Sequence, residues 1–374
     1  MTGSQNLCVR RRWLAVVLAV AFFEFAGLVR ADLPSPLVSQ SGILATSVAE
    51  RTAAESAPSP VTGTVIAPQY SCCPAGGMVF DDSWIDGGHF GTIAESICGK
   101  ADPNTWHPLP LSTLFCEGWN EAWVPSPAGS GGAPRQGWIN AVDGNLYRLS
   151  FFTFAQGFNN APASNAYLGA YTIMLPLSRR VELIVNTPFV VQNNAVSGLP
   201  ILSPNQPSPT TQSHTTFGDI SITPRVLLHE TKDFSLTAEV AVLTPTGDQP
   251  LAGKTSLTPA VGFWNNIGGG WVLRGGLGVN CPTQGSGNET MISQLAMGQT
   301  LTPHDVPLFG DFTYYVSAVV NTPLSNGGDT SVALTPGLRT HLGNDWYFLA
   351  GLPTPVTKQR VADLGMIFWI MKAW

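Results

Sequence analysis

The chain is short of charge. Lysine, arginine, aspartate and glutamate make up 11% of its 374 residues, against about 25% in an ordinary soluble protein. A surface so poor in charge need not face water throughout. The formal net charge is −6 and no basic stripe is present, so nucleic acid would meet no electrostatic footprint. No long apolar run follows Ala31, which excludes a helical membrane protein. It leaves open a transmembrane β-barrel, whose strands need only about 9–11 residues each and alternate in polarity. The chain lacks a C-x-x-C pair, which argues against a structural zinc site. It also lacks the G-x-S-x-G elbow of serine hydrolases. No cofactor, no metal and no catalytic residue is expected, and the chain reads as a non-enzyme.

What it has instead is 39 glycines and 30 prolines. That turn-rich composition suits an all-β protein. Residues 1–31 read as a signal peptide. Arg10, Arg11 and Arg12 precede an apolar stretch from Trp13 to Val29, interrupted by Glu24, and Val29-Arg30-Ala31 places small residues at a cleavage site. The stretch is somewhat short for a membrane anchor. Residues 32–70, rich in alanine, serine, threonine and proline, read as a flexible leader. Residues 71–142 form an irregular segment rich in cysteine and tryptophan. Whether it plugs a lumen, sits in the periplasm or covers a barrel mouth stays open at this point. Export to an oxidising compartment would let Cys98 pair with Cys116, although spacing alone does not fix connectivity. Asp81, Asp82, Asp86 and His89 lie close together but lack a calcium-loop pattern, and read as a solvated loop. His107 has no visible partner and reads as structural.

From about residue 143 the pattern changes. Ile220, Ile222, Pro224, Val226 and Leu228 alternate with Asp219, Ser221, Thr223, Arg225 and His229. Phe234, Leu236, Ala238, Val240 and Val242 alternate with Ser235, Thr237, Glu239 and Ala241. Period two places each set on one side of a sheet. About twelve such segments follow one another, an even number typical of bacterial barrels. They begin near residues 145, 165, 181, 217, 233, 256, 271, 289, 310, 330, 346 and 361. Short turns (177–180, 230–233, 265–270, 342–345) alternate with longer loops (193–216, 247–255, 281–288, 323–329, 354–360). Transmembrane barrels have short periplasmic turns and long external loops, so both ends of the barrel domain, residues 143–374, should face the periplasm. The connection at 302–308 is long for its place. The last segment sets Leu364, Met366, Phe368, Ile370, Lys372 and Trp374 on one face. Phe368, Ile370 and the terminal Trp374 read as an assembly signal, which makes the barrel-assembly machinery an expected partner beside outer-membrane lipid. The expected fold is thus an antiparallel transmembrane β-barrel in the outer membrane.

Residues 145–374 resemble the bacterial outer-membrane family named for the meta-pathway of phenol degradation. The likeness rests on Phe217-Gly218-Asp219-Ile220, on Leu243-Thr244-Pro245-Thr246-Gly247-Asp248, and on Leu334-Thr335-Pro336-Gly337-Leu338-Arg339 followed by Gly343-Asn344-Asp345-Trp346. These are turn and strand motifs. The resemblance implies an outer-membrane channel for hydrophobic compounds.

Inward charges are the candidate functional residues. Alternation puts Glu182, Asp219, Arg225, Glu239, Arg274 and Arg339 on the inner face. Around the 230–233 turn, Arg225 should lie diagonal to Glu239, within reach of a long side chain. Opposed charges there would serve as a selectivity filter or as a structural bridge filling a narrow barrel. Three functions follow. The first is a channel for a small-molecule permeant. The second is a surface-display or structural barrel whose N-terminal segment or loops bind a partner. The third is a soluble secreted β-sandwich.

Overall fold

The computed structural model describes residues 88–158, 165–192, 215–247, 255–283, 289–324, 329–357 and 363–374. The signal-peptide and leader readings, and the Asp81–Asp86 loop, lie outside these residues. Twelve long strands make one antiparallel sheet: β1 Leu149–Phe158, β2 Asn165–Pro176, β3 Val181–Gln192, β4 Ser221–Glu230, β5 Phe234–Leu243, β6 Ser256–Gly268, β7 Trp271–Pro282, β8 Thr290–Thr300, β9 Gly310–Pro323, β10 Ser331–Gly343, β11 Trp346–Gly351 and β12 Leu364–Ala373. Each pairs with its neighbours in sequence, and β12 pairs with β1, Phe154 opposite Phe368. The sheet therefore closes on itself as a twelve-stranded barrel. Closure leaves no open edge and rules out the β-sandwich.

Burial follows the alternation. On β5, Ser235, Thr237, Glu239, Ala241 and Leu243 are buried, while the residues between them are not. On β12, Ile367, Trp369 and Met371 are buried and Phe368 and Ile370 face out. The outer wall carries exposed Phe152, Phe154, Val240, Leu295, Met297 and Val316. The apolar outer wall is the pattern of a barrel in lipid, and the inside holds polar and charged groups beside an apolar cluster that includes Trp138, Phe151, Trp264 and Trp369.

Turn chemistry fixes one rim. Asn344 and Asp345 take φ values of 49° and 57°, the left-handed pair that a tight two-residue hairpin needs. Gly268, Gly269 and Gly270 all have positive φ between β6 and β7. The long 301–309 connection folds back on itself, with His304 Nδ1 2.6 Å from Asp311 Oδ2. At the same rim the Trp374 N–H donates to the Arg148 carbonyl, so the start and end of the barrel share the short-turn side.

The region before the barrel has one helix, α1 Gly88–Cys98, then irregular chain. Cys98 is a free thiol and Cys116 is disulfide-bonded. The Cys98–Cys116 pairing is thereby overturned, and the partner of Cys116 lies outside the described residues. Spacing could not choose among several exported cysteines. His107 does have a partner: its Nε2 is 3.0 Å from Glu121 Oε2.

Candidate functional site: an occupied lumen

Residues 133–147 run through the inside of the barrel. Ala133, Trp138, Ile139, Ala141, Val142, Asp143 and Asn145 are buried, and their partners lie on inner-face positions around the wall. Tyr315 Oη on β9 accepts from the Ile139 N–H at 3.0 Å. Ser317 Oγ donates to the Ile139 carbonyl at 2.9 Å. Asn140, in the left-handed region at φ 57°, donates to Thr335 Oγ1 on β10 at 2.8 Å. Thr237 Oγ1 on β5 donates to the Asp143 carbonyl. Trp138 stacks on Tyr315 with ring centroids 5.0 Å apart.

Two arginines bind this segment most heavily. Arg274 on β7 is fully buried. Its Nε and Nη2 donate to the Val142 carbonyl at 3.0 and 2.9 Å. It also pairs with the Asp143 carboxylate, donates to the Gln136 carbonyl, and lies 5.3 Å from the Trp138 ring centroid. Arg225 on β4 donates through Nε to Glu239 at 2.7 Å and through Nη1 to Glu182 at 3.0 Å. Its Nη1 also reaches the Asn145 carbonyl at 3.3 Å, and Glu182 accepts from the Tyr147 N–H. The triad thus faces the lumen segment as well as itself.

Glycine makes the room. A Cβ on Gly262 of β6 would stand 2.3 Å from Val142 Cγ1, and one on Gly276 of β7 would stand 2.7 Å from Val142 Cγ2. A Cβ on Gly298 of β8 would stand 2.9 Å from Trp138 Cη2. Three neighbouring strands are hollowed where the segment passes, and no L side chain fits there without displacement.

The chain before the segment covers the short-turn rim. Glu230, the last residue of β4, gathers it. Trp106 Nε1, Arg135 Nη1 and Arg179 Nη2 lie 3.1, 2.9 and 3.3 Å from its carboxylate, and Ser126 Oγ donates to it. Leu109 and Glu230 also exchange backbone hydrogen bonds. Burial pulls the Arg179 guanidinium below its ordinary value, opposed by Glu230 and Glu121. Nearby, Asp233 in the β4–β5 turn accepts from Asn266 Nδ2 at 2.7 Å and from the Ser130 N–H at 2.6 Å. These bonds, that from Asn266 first, hold its carboxyl down at about 2.

Of the six charges expected inside, Glu182, Arg225, Glu239, Arg274 and Arg339 are buried on the inner wall. Arg339 lies 4.1 Å from the Tyr347 ring centroid. Asp219 precedes β4 at the other rim, where it is only half-buried and accepts from the Gly247 N–H at 2.9 Å. The turn motif there ends the sheet pattern before it reaches Asp219. Arg225 and Glu239 stand directly opposite, not diagonal, because a register shift between Leu227 and His229 moves the pairing by one residue. The same shift turns Glu230 inward. Asp143, Trp138, Tyr315 and Glu230 were missed from the sequence. The signal that could have found the segment's path is the run of glycines at inward strand positions.

A family model described as "Putative MetA-pathway of phenol degradation" matches residues 133–362. No curated protein matches the chain. Among solved structures, the COG4313 outer membrane channel from Pseudomonas putida F1 is similar at 10% identity and a TM-score of 0.44, over 60% of this chain and 94% of that one. The KdgM porin is similar at 6% identity and a TM-score of 0.40, over 60% and 99%. The Ralstonia pickettii toluene transporter TbuX is similar at 8% identity and a TM-score of 0.30, over 76% and 98%.

Proposed function

Since the chain belongs to this phenol-degradation MetA-pathway family, we propose that it is an outer-membrane channel for small molecules, held shut by its own residues 133–147. The observation that carries the reading is an apolar outer wall around an inner wall that bears charge. The outer wall is apolar where lipid would lie, and the inner wall bears the Glu182–Arg225–Glu239 triad, Arg274 and Arg339. A barrel that served only as an anchor would have no need of a charged inner wall adapted to a separate strip of chain. Signal-directed export, insertion by the barrel-assembly machinery through Phe368, Ile370 and Trp374, and a small-molecule permeant complete the reading.

The filled lumen favours one rival, a barrel that only anchors the irregular N-terminal region. Membrane fractionation and planar-bilayer recording separate the two. The protein should resist release by carbonate or high salt and should conduct once the lumen segment is loosened. Release by salt would remove the membrane reading. A barrel that stays sealed when the segment is loosened would be an anchor.

A further inference from the structure

The lumen segment is a re-entrant loop. It enters the barrel at the short-turn rim, where Arg135 meets Glu230 and the Thr231 carbonyl. Going inwards, Gln136 meets Arg274 and Thr313 near the starts of β7 and β9. Ile139 reaches Tyr315 and Ser317 further along β9, and Asn140 reaches Thr335 in the long-loop half of β10. The backbone then turns back, with Asn140 supplying the left-handed residue. Asp143 returns to Arg274, Asn145 to Ser235 beside the β4–β5 turn, and Tyr147 to Glu182 at the start of β3. Leu149, opposite Ala373, then begins β1 at the rim by which the chain came in.

One guanidinium closes the neck of this loop. Arg135 Nη1 donates to Asn145 Oδ1 on the returning leg at 2.7 Å and to Glu230 Oε1 on the wall at 2.9 Å, and Nη2 donates to the Thr231 carbonyl. The guanidinium lies 4.7 Å from the Trp264 ring centroid, and the side chain is buried. Glu230 does not depend on Arg135 alone, because Trp106, Ser126 and Arg179 hold the same carboxylate. Arg135 thus ties both legs of the loop to the rim, and its loss would leave the other rim contacts in place.

Resting on the channel reading, we propose that the loop opens the channel by withdrawing through the short-turn rim, the periplasmic one in such a barrel, and that Arg135 is the latch that holds it in. Tethering decides the direction. The returning leg runs covalently into β1 at Leu149, and the chain ahead of the entering leg is held at the same rim by Ser130 on Asp233. Passage to the other rim would carry the tip across an apolar band about 25 Å tall. That needs the leg from Asn140 to Leu149, at most about 30 Å long, drawn out almost straight. Withdrawal at the near rim needs no such extension. It returns the polar groups of Gln136, Asp143 and Asn145 to water, which offsets the hydrogen bonds they give up. The channel is therefore opened from the periplasmic side.

The test uses the full-length protein in cells, with Cys98→Ser removing the exposed thiol and Val142→Cys placing a reporter on the loop. The probe is a polyethylene glycol maleimide too large to cross the outer membrane. Val142 is buried against β6 and β7, so labelling reports withdrawal, read against the same background without Val142→Cys. Intact cells present only the long-loop side, and permeabilised cells present the periplasmic side as well. Labelling should occur only after permeabilisation. Arg135→Ala should speed it about tenfold, the scale of a hydrogen bond to a charged group, and potassium conductance in bilayers should rise with it. Arg135→Lys keeps the charge but not the fork to Asn145 and Thr231; it should fall between the two, and it carries the comparison if Arg135→Ala does not fold. Labelling in intact cells would overturn the exit. An unchanged rate in a folded Arg135→Ala barrel would overturn the latch. Faster labelling of a folded barrel without added conductance would overturn the channel reading and leave the exit and its latch standing.

Discussion

Arg274 and Asp143 form an ion pair with both side chains sealed inside the barrel. One partner is on the wall and the other on the lumen segment. The pair therefore bears on whether the segment stays. Breaking a buried pair by removing one member costs about 3–5 kcal/mol, because the other charge is left uncompensated. In Arg274→Ala the unpaired Asp143 should drive the segment towards water. Bilayer recordings should show larger and more frequent openings than in the parent, with the barrel still folded by heat-modifiable gel mobility.

The glycine hollow gives a prediction independent of charge. Gly262→Ala places a methyl group where Val142 Cγ1 already lies. Overpacking of this kind costs about 1–3 kcal/mol. Val142→Ala should recover most of the loss, so a double-mutant cycle read by urea unfolding should show strong coupling. Additive losses would mean that the segment does not pass there.

The triad should answer differently from Arg274. Glu182 and Glu239 both lean on Arg225, so Arg225→Ala leaves two carboxylates facing each other in the wall. Stability should fall by about 3–5 kcal/mol, and the conductance should change as well because the Asn145 carbonyl loses its bond to Arg225. If stability and conductance were both unaltered in Arg225→Ala and Glu239→Ala, neither a structural nor a selective role would survive.

Asp233 gives the pH dependence of the rim. Its folded value of about 2 lies below the unfolded value near 3.9. A depressed carboxyl contributes stability that is fully present above the unfolded value and is lost as pH falls through the folded one. The contact with Ser130 should loosen as pH drops from about 4 to about 2. Hydrogen exchange of residues 126–133 should rise over that window, and Asp233→Asn should abolish the transition.

The thiols separate by reagent. Cys98 is exposed and free, so a maleimide should label it without reduction. Cys116 should react only after reduction, since it is already bonded. Labelling of both without reductant would contradict this assignment.

Much of the barrel was legible in the sequence because its physics is local. Period-two alternation and turn residues place all twelve long strands, and the Asn344–Asp345 turn is written in two residues. Glu182, Arg225, Glu239, Arg274 and Arg339 follow from the same parity. Parity fails where the backbone leaves the sheet, as at Asp219, or slips within it, as between Leu227 and His229. The path of residues 133–147 was not legible. That segment has no period, and its partners lie far away in sequence: Ile139 meets Tyr315 and Ser317, and Asn140 meets Thr335. Only the inward glycines hint that something must fit against β6, β7 and β8.

The proposed closure of the lumen is a strip of the chain itself, residues 133–147, and that strip should be removable. A reversible lock tests it. A Cβ on Gly276 would stand 2.9 Å from Val142 Cβ, a small shift from the roughly 3.5–4.5 Å of a disulfide. In Val142→Cys/Gly276→Cys, single-channel recording should show a sealed barrel when oxidised and openings once a reductant is added. Equal conductance before and after reduction would mean that the path avoids the segment. No conductance in either state, with the barrel folded in the bilayer, would contradict the channel.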